Sequence, residues 1–202
     1  MMNFLELAAE RYSVRKYKDQ LIEDEKMEKI LEAGKLAPTA VNFQPQKIYV
    51  LKSKESMEKL GTVCQYTFGA PQALLICYDE QRAWKNRFRE GYNSGEVDSA
   101  IVATHMMLED WELGIGSCWV GAFNADTLGK EFGFQEHIKP VAVLTMGYAA
   151  DDAKPYKKMH NVYRSMEEIF KKGKADLSGS EQKCSQSAEF SDGTYFTGDS
   201  TL

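Results

Sequence analysis

Among 202 residues there are only three histidines and four cysteines, and neither set is arranged to hold a metal. His105, His137 and His160 form no HxH or HxxxH pair, and Cys64, Cys77, Cys118 and Cys184 show no CxxC spacing. Structural zinc needs four such ligands brought together, usually as closely spaced pairs, so no metal is expected. Cys77 and Cys118 stand in strand-like apolar runs, and all four are expected to be reduced thiols. A basic excess is also missing: 25 Lys and Arg face 30 Asp and Glu, a net charge of -5. That balance offers no general attraction to phosphate backbones, so nucleic acid is not an expected partner. No apolar run approaches the roughly 20 residues that span a bilayer, and the N-terminus opens into an amphipathic pattern rather than a signal sequence. A cytoplasmic protein with no membrane segment is the expectation. Missing too are the GxSxG elbow and HExxH of hydrolases, the GxxxxGK[ST] phosphate loop and the GxGxxG dinucleotide turn. Side-chain nucleophiles and the common nucleotide folds are therefore disfavoured.

What is present fits one domain, since a single core commonly serves about 100–200 residues. Asn3 with Glu6 reads as a capping box opening a short helix that ends near Tyr12. Asp24 is expected as the cap of a second helix, with Met27, Ile30, Leu31 and Gly34 on one face and Pro38 ending it. Residues 47–52 read as a strand, 53–60 as a short helix and 73–78 as a buried strand. From Val97, the residues Ala100, Ile101, Thr104, Leu108 and Trp111 keep a period near 3.6, and Gly114 supplies the C-terminal cap of a long helix. Strands are expected over 117–123 and 141–148, a small helix over 126–132, and a last helix capped by Ser165 and Glu168 that reaches about Lys172. Helices and strands alternate, which argues for a layered α/β or α+β sandwich. Residues 173–202 are rich in Ser, Gly and Asp without sustained period. They are expected to be a disordered tail, or a strap docking on a partner through Phe190, Tyr195 and Phe196.

Three segments carry chemistry. In ERYSVRKY (10–17), Arg11, Ser13 and Arg15 stand at alternate positions, which share a side in extended chain. Two guanidinium forks and a hydroxyl suit a phosphate dianion, although basic groups past a helix C-terminus also complement its dipole. The loop APTAVNFQPQ (37–46) sets Thr39, Asn42 and Gln44 between Pro38 and Pro45. Such a loop is either an ordinary turn or a rigid set of amides for a heteroaromatic ring. In GIGSCWVGAFN (114–124), Gly116 and Gly121 flank an apolar strand. They permit a turn or bulge, or a close approach at which Gly121 or Ala122 offers a backbone N–H to an aromatic nitrogen. A phosphate grip, an amide loop and an opened backbone together suit a bound cofactor that carries the reaction.

These segments resemble the nitroreductase family, whose members carry Arg-x-Ser-x-Arg/Lys, then A-P-S/T-x-x-N-x-Q-P, then E-L-G-L-G-S-C-W-V-G. Here they read RYSVR at 11–15, APTAVNFQP at 37–45 and ELGIGSCWVG at 112–121. Gly147-Tyr148 and SMEEIF at 165–170 extend the likeness over residues 3–172. The resemblance implies an α+β fold, a three-layer α/β/α sandwich with a central, mostly antiparallel sheet, in an intertwined homodimer with FMN at each interface site. It assigns Arg11, Ser13 and Arg15, joined by Arg164, to the phosphate and ribityl chain. Pro38, Thr39, Ala40, Asn42 and Gln44 approach the flavin from the other subunit, Val120, Gly121 and Ala122 face the ring near N5, and Gln65 meets the pyrimidine edge. The implied cycle is ping-pong: NADH or NADPH passes hydride to the flavin, leaves, and is replaced by a small electron acceptor such as a nitro compound or quinone. The chain supplies no catalytic side chain. Specialised flavin chemistry, such as reductive dehalogenation, and a flavin carrier with little turnover are the alternatives. The chain departs from many members at Gln46, where they have Trp, and at Val162, where they have a basic residue. Trp84, Phe88 and Tyr92 in residues 80–96 stand where relatives gate the substrate. The helix from Val97, which carries His105, is expected in a large apolar dimer interface.

Overall fold

The computed structural model describes residues 3–170, which fall into two units, one ending at Val162 and the other starting at Tyr163. The chain of the first unit opens with helix α1 (Phe4–Glu10). Asn3 accepts from the Glu6 N–H, and the Glu6 carboxylate accepts from the Asn3 N–H, both at 3.0 Å. This capping box is the expected one, but the helix stops at Glu10 rather than near Tyr12. Arg11 turns out of helical space because the next residues run extended along the sheet. Helix α2 (Asp24–Leu36) begins one residue before its expected first turn. Asp24 is already helical, and its carboxylate accepts from Lys52 at 3.1 Å; Glu23 holds the cap position without a side-chain capping bond, its carboxylate accepting from the Tyr148 hydroxyl at 2.6 Å instead. At the other end Ala37 is extended, as the residue before a proline must be.

The sheet comprises β1 (Gln46–Leu51), β2 (Gln72–Asp79), β3 (Gly116–Val120) and β4 (Ile138–Gly147) in the order β1-β2-β4-β3, with every pair antiparallel. Alternating side chains divide between two clusters. Ile48, Val50, Leu74, Ile76, Leu144 and Met146 pack against α2 and the long helix α4 (Gly95–Glu112), through Ile30, Val102 and Met106. Leu51, Ala73, Leu75, Cys77 and Val143 pack on the other side with Leu60 of α3 (Lys54–Val63) and Leu128 of α5 (Ala125–Glu131). Strand β2 is buried along its whole length, and each fully buried Leu or Ile there contributes about 1.5–3 kcal/mol. Pro140 lies inside β4, which a regular ladder would not tolerate. The register shifts there, leaving Val141 as the extra residue of a bulge between the Ile76–Ala142 and Cys77–Pro140 pairs.

Helix α4 starts two residues before Val97 and ends as expected, with Gly114 left-handed at φ +75° just past the cap. Strand β3 is shorter than expected. Past Val120 the Phe123 N–H donates back to the Gly121 carbonyl at 3.1 Å, and Asn124 caps α5 by accepting from Thr127 at 2.8 Å. In the second unit, Ser165 and Glu168 form the expected capping box of α6 (Met166–Ile169), which closes at Phe170 rather than Lys172. Cys184 and the aromatics Phe190, Tyr195 and Phe196 lie outside the described residues. Among the described residues no helix is long and apolar enough to cross a membrane, and no His, Cys, Asp and Glu cluster could hold a metal ion.

Candidate functional site

Past α1 the chain lies down beside β3. The Val14 N–H donates to the Ser117 carbonyl at 3.0 Å, Ser13 bridges Ser117 in parallel, and Tyr17 bridges Ala149. Gly116 makes this possible: a Cβ there would stand 2.5 Å from Val14 Cγ2. Val14 points into the core with no exposure, so Ser13 and Arg15 share the opposite side. The Tyr17 hydroxyl, donating to the Val14 carbonyl at 2.7 Å and touching Thr145 Oγ1 at 3.0 Å, pins the segment from below. Burial raises its pKa.

Arg11, Ser13 and Arg15, the expected phosphate grip, all lie near Cys118. All three act on one sulfur: burial raises the Cys118 thiol pKa, while Arg15, a hydrogen bond from Ser13 and Arg11 pull it back. The Arg15 guanidinium donates to the Ser13 carbonyl at 3.2 Å and lies 5.9 Å from the Phe68 ring centre and 5.8 Å from that of Tyr156. Arg11 Nη1 and Ser117 Oγ are buried without a partner. Among the described residues, neither arginine pairs with a carboxylate. A buried guanidinium nitrogen left unpaired is costly, and an oxyanion with several acceptor oxygens is the group that removes the cost.

Asp110 is a participant that the sequence reading missed. It lies on the inward face of α4 with no exposure, and both its oxygens lack partners. Burial pushes its pKa from 3.8 to about 8; the Ser117 hydroxyl beside it eases the charge without closing a hydrogen bond. A carboxyl of this kind is neutral near pH 7. Only its spacing of four from Met106 and eight from Val102, both in the core, could have flagged it.

The loop after α2 is strained. Val41, Asn42 and Gln44 have φ of 46°, 55° and 50°, left-handed values that cost non-glycine residues about 1–3 kcal/mol each. Thr39 Oγ1 accepts from the Gln44 N–H at 3.1 Å, and Gln44 Nε2 donates to Asn42 Oδ1 at 3.1 Å. Asp98, buried in the first turn of α4, accepts from the Ala40 N–H at 2.8 Å and from Ser94 Oγ at 2.6 Å. Pro38, Val41, Asn42 and Gln44 are exposed and Thr39 and Ala40 half-buried, so the loop presents its amides outward.

At the far end of β3, Val120 is buried while Gly121 and Ala122 are exposed. A Cβ on Gly121 would meet nothing closer than Trp119 Nε1 at 3.9 Å, and its φ is not left-handed. Nothing among the described residues demands glycine there. Gln65 is exposed just past α3, three residues before Phe68, which Arg15 covers. Arg164 belongs to the second unit, and the other candidates to the first. In the 80–96 segment, Trp84 is half-buried, Phe88 is exposed beneath Arg87, and Tyr92 lies beneath Arg89 and lines a polar cleft of about 590 Å³ with Lys85, His137 and Lys139. His105 is half-buried on α4 and Val162 is exposed. Gln46 lines a small apolar cavity of about 220 Å³ between α2, α4 and β1, its Oε1 unpartnered.

The basic cradle and the amide loop stand at opposite ends of the body. Ser117 pairs with Met146 and Met146 with Gln72, whereas Gln46, at the end of the loop, pairs with Tyr78. From Gln72 to Tyr78 is about 20 Å at ~3.3 Å per residue. Helix α4 measures the same gap. Asp98 holds the loop and Asp110 adjoins Ser117, about 18 Å apart at 1.5 Å per residue.

The sequence model described as the nitroreductase family matches residues 8–67 and 63–148. The chain belongs to the nitroreductase family. A nitroreductase family protein from Clostridium difficile 630 has 38% identity and a TM-score of 0.78, over 84% of this chain and 98% of its own. A protein of Archaeoglobus fulgidus, named as a provisional NADH dehydrogenase/NAD(P)H nitroreductase, is 31% identical over 161 residues, 75% of this chain and 88% of its own length. An FMN-dependent nitroreductase from Clostridium difficile R20291 is 26% identical with a TM-score of 0.64, over 80% of this chain and the whole of that one. In this nitroreductase chain the matched residues include the cradle, the strained loop and β3.

Proposed function

We propose that the chain is an FMN-dependent oxidoreductase that draws electrons from NADH or NADPH and passes them to a small acceptor, a nitro compound or quinone. The observation that carries this is the cradle: Arg11 has a buried unpartnered nitrogen, neither Arg11 nor Arg15 pairs with an acid among the described residues, and Ser13 stands between them. That donor set fits a phosphate monoester, the terminal group of FMN. The FMN-dependent and NAD(P)H-using relatives support the same reading.

Bound FMN would supply the two-electron chemistry, taking hydride from the nicotinamide and delivering it to the acceptor. The chain's share is binding and placement. Arg11, Ser13 and Arg15 hold the phosphate, with Arg164 as a further candidate, and Gln65 serves the pyrimidine edge. The exposed backbone at Gly121 and Ala122, after Val120, lets a ring approach without side-chain obstruction. Pro38, Thr39, Ala40, Asn42 and Gln44 present fixed amides to the flavin from a second copy. About 20 Å separates that loop from the cradle of its own chain, so a site built from both needs two subunits, which is the support for a homodimer. Intertwining places a three-layer sandwich in each subunit around shared sites.

Titrating FMN into the apo protein and then adding NADH or NADPH in a stopped flow tests the proposal. Saturable uptake followed by bleaching of the flavin band is expected. Uptake without bleaching by either nicotinamide would point to a carrier instead.

A further inference from the structure

We propose that Asp98 is a positioning residue for flavin binding, one that sets the shape of the Pro38–Gln44 loop through the Ala40 amide. It touches no ligand itself. The inference rests on the reading that this loop meets the flavin.

Asp98 is 2% exposed at the start of α4. One carboxyl oxygen accepts from the Ala40 N–H at 2.8 Å, and the other accepts from Ser94 Oγ at 2.6 Å. Ser94 is itself buried, and its carbonyl accepts from the Asp98 N–H at 2.8 Å, so the carboxyl is fixed from both sides. Ala40 is the hinge of the loop. Its carbonyl accepts from the Phe43 N–H at 3.1 Å, closing the turn in which Val41 and Asn42 are left-handed. β-Branched Val41 is especially unsuited to positive φ, and its 67% exposed side chain gains nothing by packing. A strained conformer persists only where its surroundings over-determine it. The Thr39 and Gln44 bonds lie within the loop and travel with it; the Asp98 bond ties it to the rigid body of the domain. Releasing it lets Val41 and Asn42 relax to negative φ, and the amides lose the arrangement a ring would meet. Apparent affinity falls in proportion to the fraction of loop still competent.

The test compares full-length wild type, Asp98→Ala and Asp98→Asn. Asparagine still accepts from Ala40 and can donate to Ser94, so it restores the tether. Flavin fluorescence reads FMN affinity, and amide hydrogen exchange on the apo protein reads the Ala40 N–H directly. If about nine-tenths of the loop relaxes, Asp98→Ala weakens FMN about tenfold. Ala40 then exchanges freely while the β2 and β4 amides stay protected, and Asp98→Asn recovers most of both. Wild-type FMN affinity in Asp98→Ala, or Ala40 still protected there, would overturn the proposal, as would equal loss in the alanine and asparagine variants. Should Asp98→Ala fail to fold, Ser94→Ala, which frees only the second oxygen, replaces it. It must shift FMN affinity and Ala40 exchange in the same direction by less, and no shift overturns the proposal. A wild-type chain that takes up no FMN would overturn the flavin reading and this inference with it. Equal uptake by wild type and Asp98→Ala would overturn the role of Asp98 alone.

Discussion

Substituting Gly116 by alanine should damage the cradle without touching any residue in it. The new methyl would lie 2.5 Å from Val14 Cγ2, 2.9 Å from Val14 Cβ and 3.1 Å from Val14 Cγ1. Carbon atoms settle at about 3.5–4.0 Å, so the two must part by about 1 Å. Val14 cannot yield by rotation, because it is fully buried and stiff at χ1. The N-terminal segment must therefore move off β3. Overpacking of this kind costs about 1–3 kcal/mol. For a chain of this size that lowers the melting midpoint by about 2–4 °C per kcal/mol. The same shift stretches the 3.0 Å bond from Val14 to Ser117 and carries Ser13 and Arg15 out of register. FMN affinity should drop about tenfold for every 1.4 kcal/mol of binding lost. Thermal unfolding of the apo protein and a flavin titration read the two effects. Pairing Gly116→Ala with Val14→Ala should make room for the methyl, so the double variant should be more stable than the two single costs predict. Unchanged stability and affinity in Gly116→Ala, or strict additivity in the pair, would show that the close approach of Gly116 to Val14 does not hold the segment in place.

Arg11→Ala should weaken FMN by about 1.5–3 kcal/mol, the value of a hydrogen bond to a charged group, without lowering apo stability, since no protein acceptor loses its donor. A titration superposing on wild type would remove Arg11 from the cradle. Gly121→Ala brings the new methyl only into ordinary contact with Trp119 Nε1 at 3.9 Å, so apo stability should hold within about 0.5 kcal/mol while FMN affinity falls. Full affinity in that variant would show that no ring approaches there. Asp110 is neutral in the folded protein up to about pH 8, whereas the unfolded chain gives up the proton near pH 3.8. The stability this group contributes is thus complete below pH 3.8 and lost as the pH rises to about 8. Asp110→Asn, with no proton to lose, should flatten the melting profile over that window and melt higher than wild type at pH 8. An unchanged slope would mean the carboxyl is compensated by a partner.

Much of the fold could be read in advance because periodicity reports burial. The unbroken apolar run of β2 answers to packing on both of its faces, and Gly114 marks the end of α4 by a backbone angle other residues avoid; the stripe read on α4 from Val97 through Thr104 is not the face in the core, which Val102, Ala103 and Met106 occupy. Boundaries were less legible where tertiary pairing decides them. Helix α1 stops at Glu10 because Ser13 must reach Ser117, and β3 stops at Val120 because Phe123 turns back on Gly121; neither partner is near in sequence. Arg11, Ser13 and Arg15 were legible as a group through alternate spacing. Asp98 and Asp110 were not, since an acid among the other acids of a long helix looks like a solvated charge until its burial is known. The bulge at Pro140 was hidden for the same reason: it is defined by the partner strand.

In the proposed enzyme one FMN per chain is held between two copies, with its phosphate on Arg11, Ser13 and Arg15. Sedimentation of the FMN-saturated protein, followed in the flavin absorption band, tests it most directly. Flavin is expected to travel with a dimer at one equivalent per chain. Flavin left behind at the meniscus, or carried by a monomer, would contradict it.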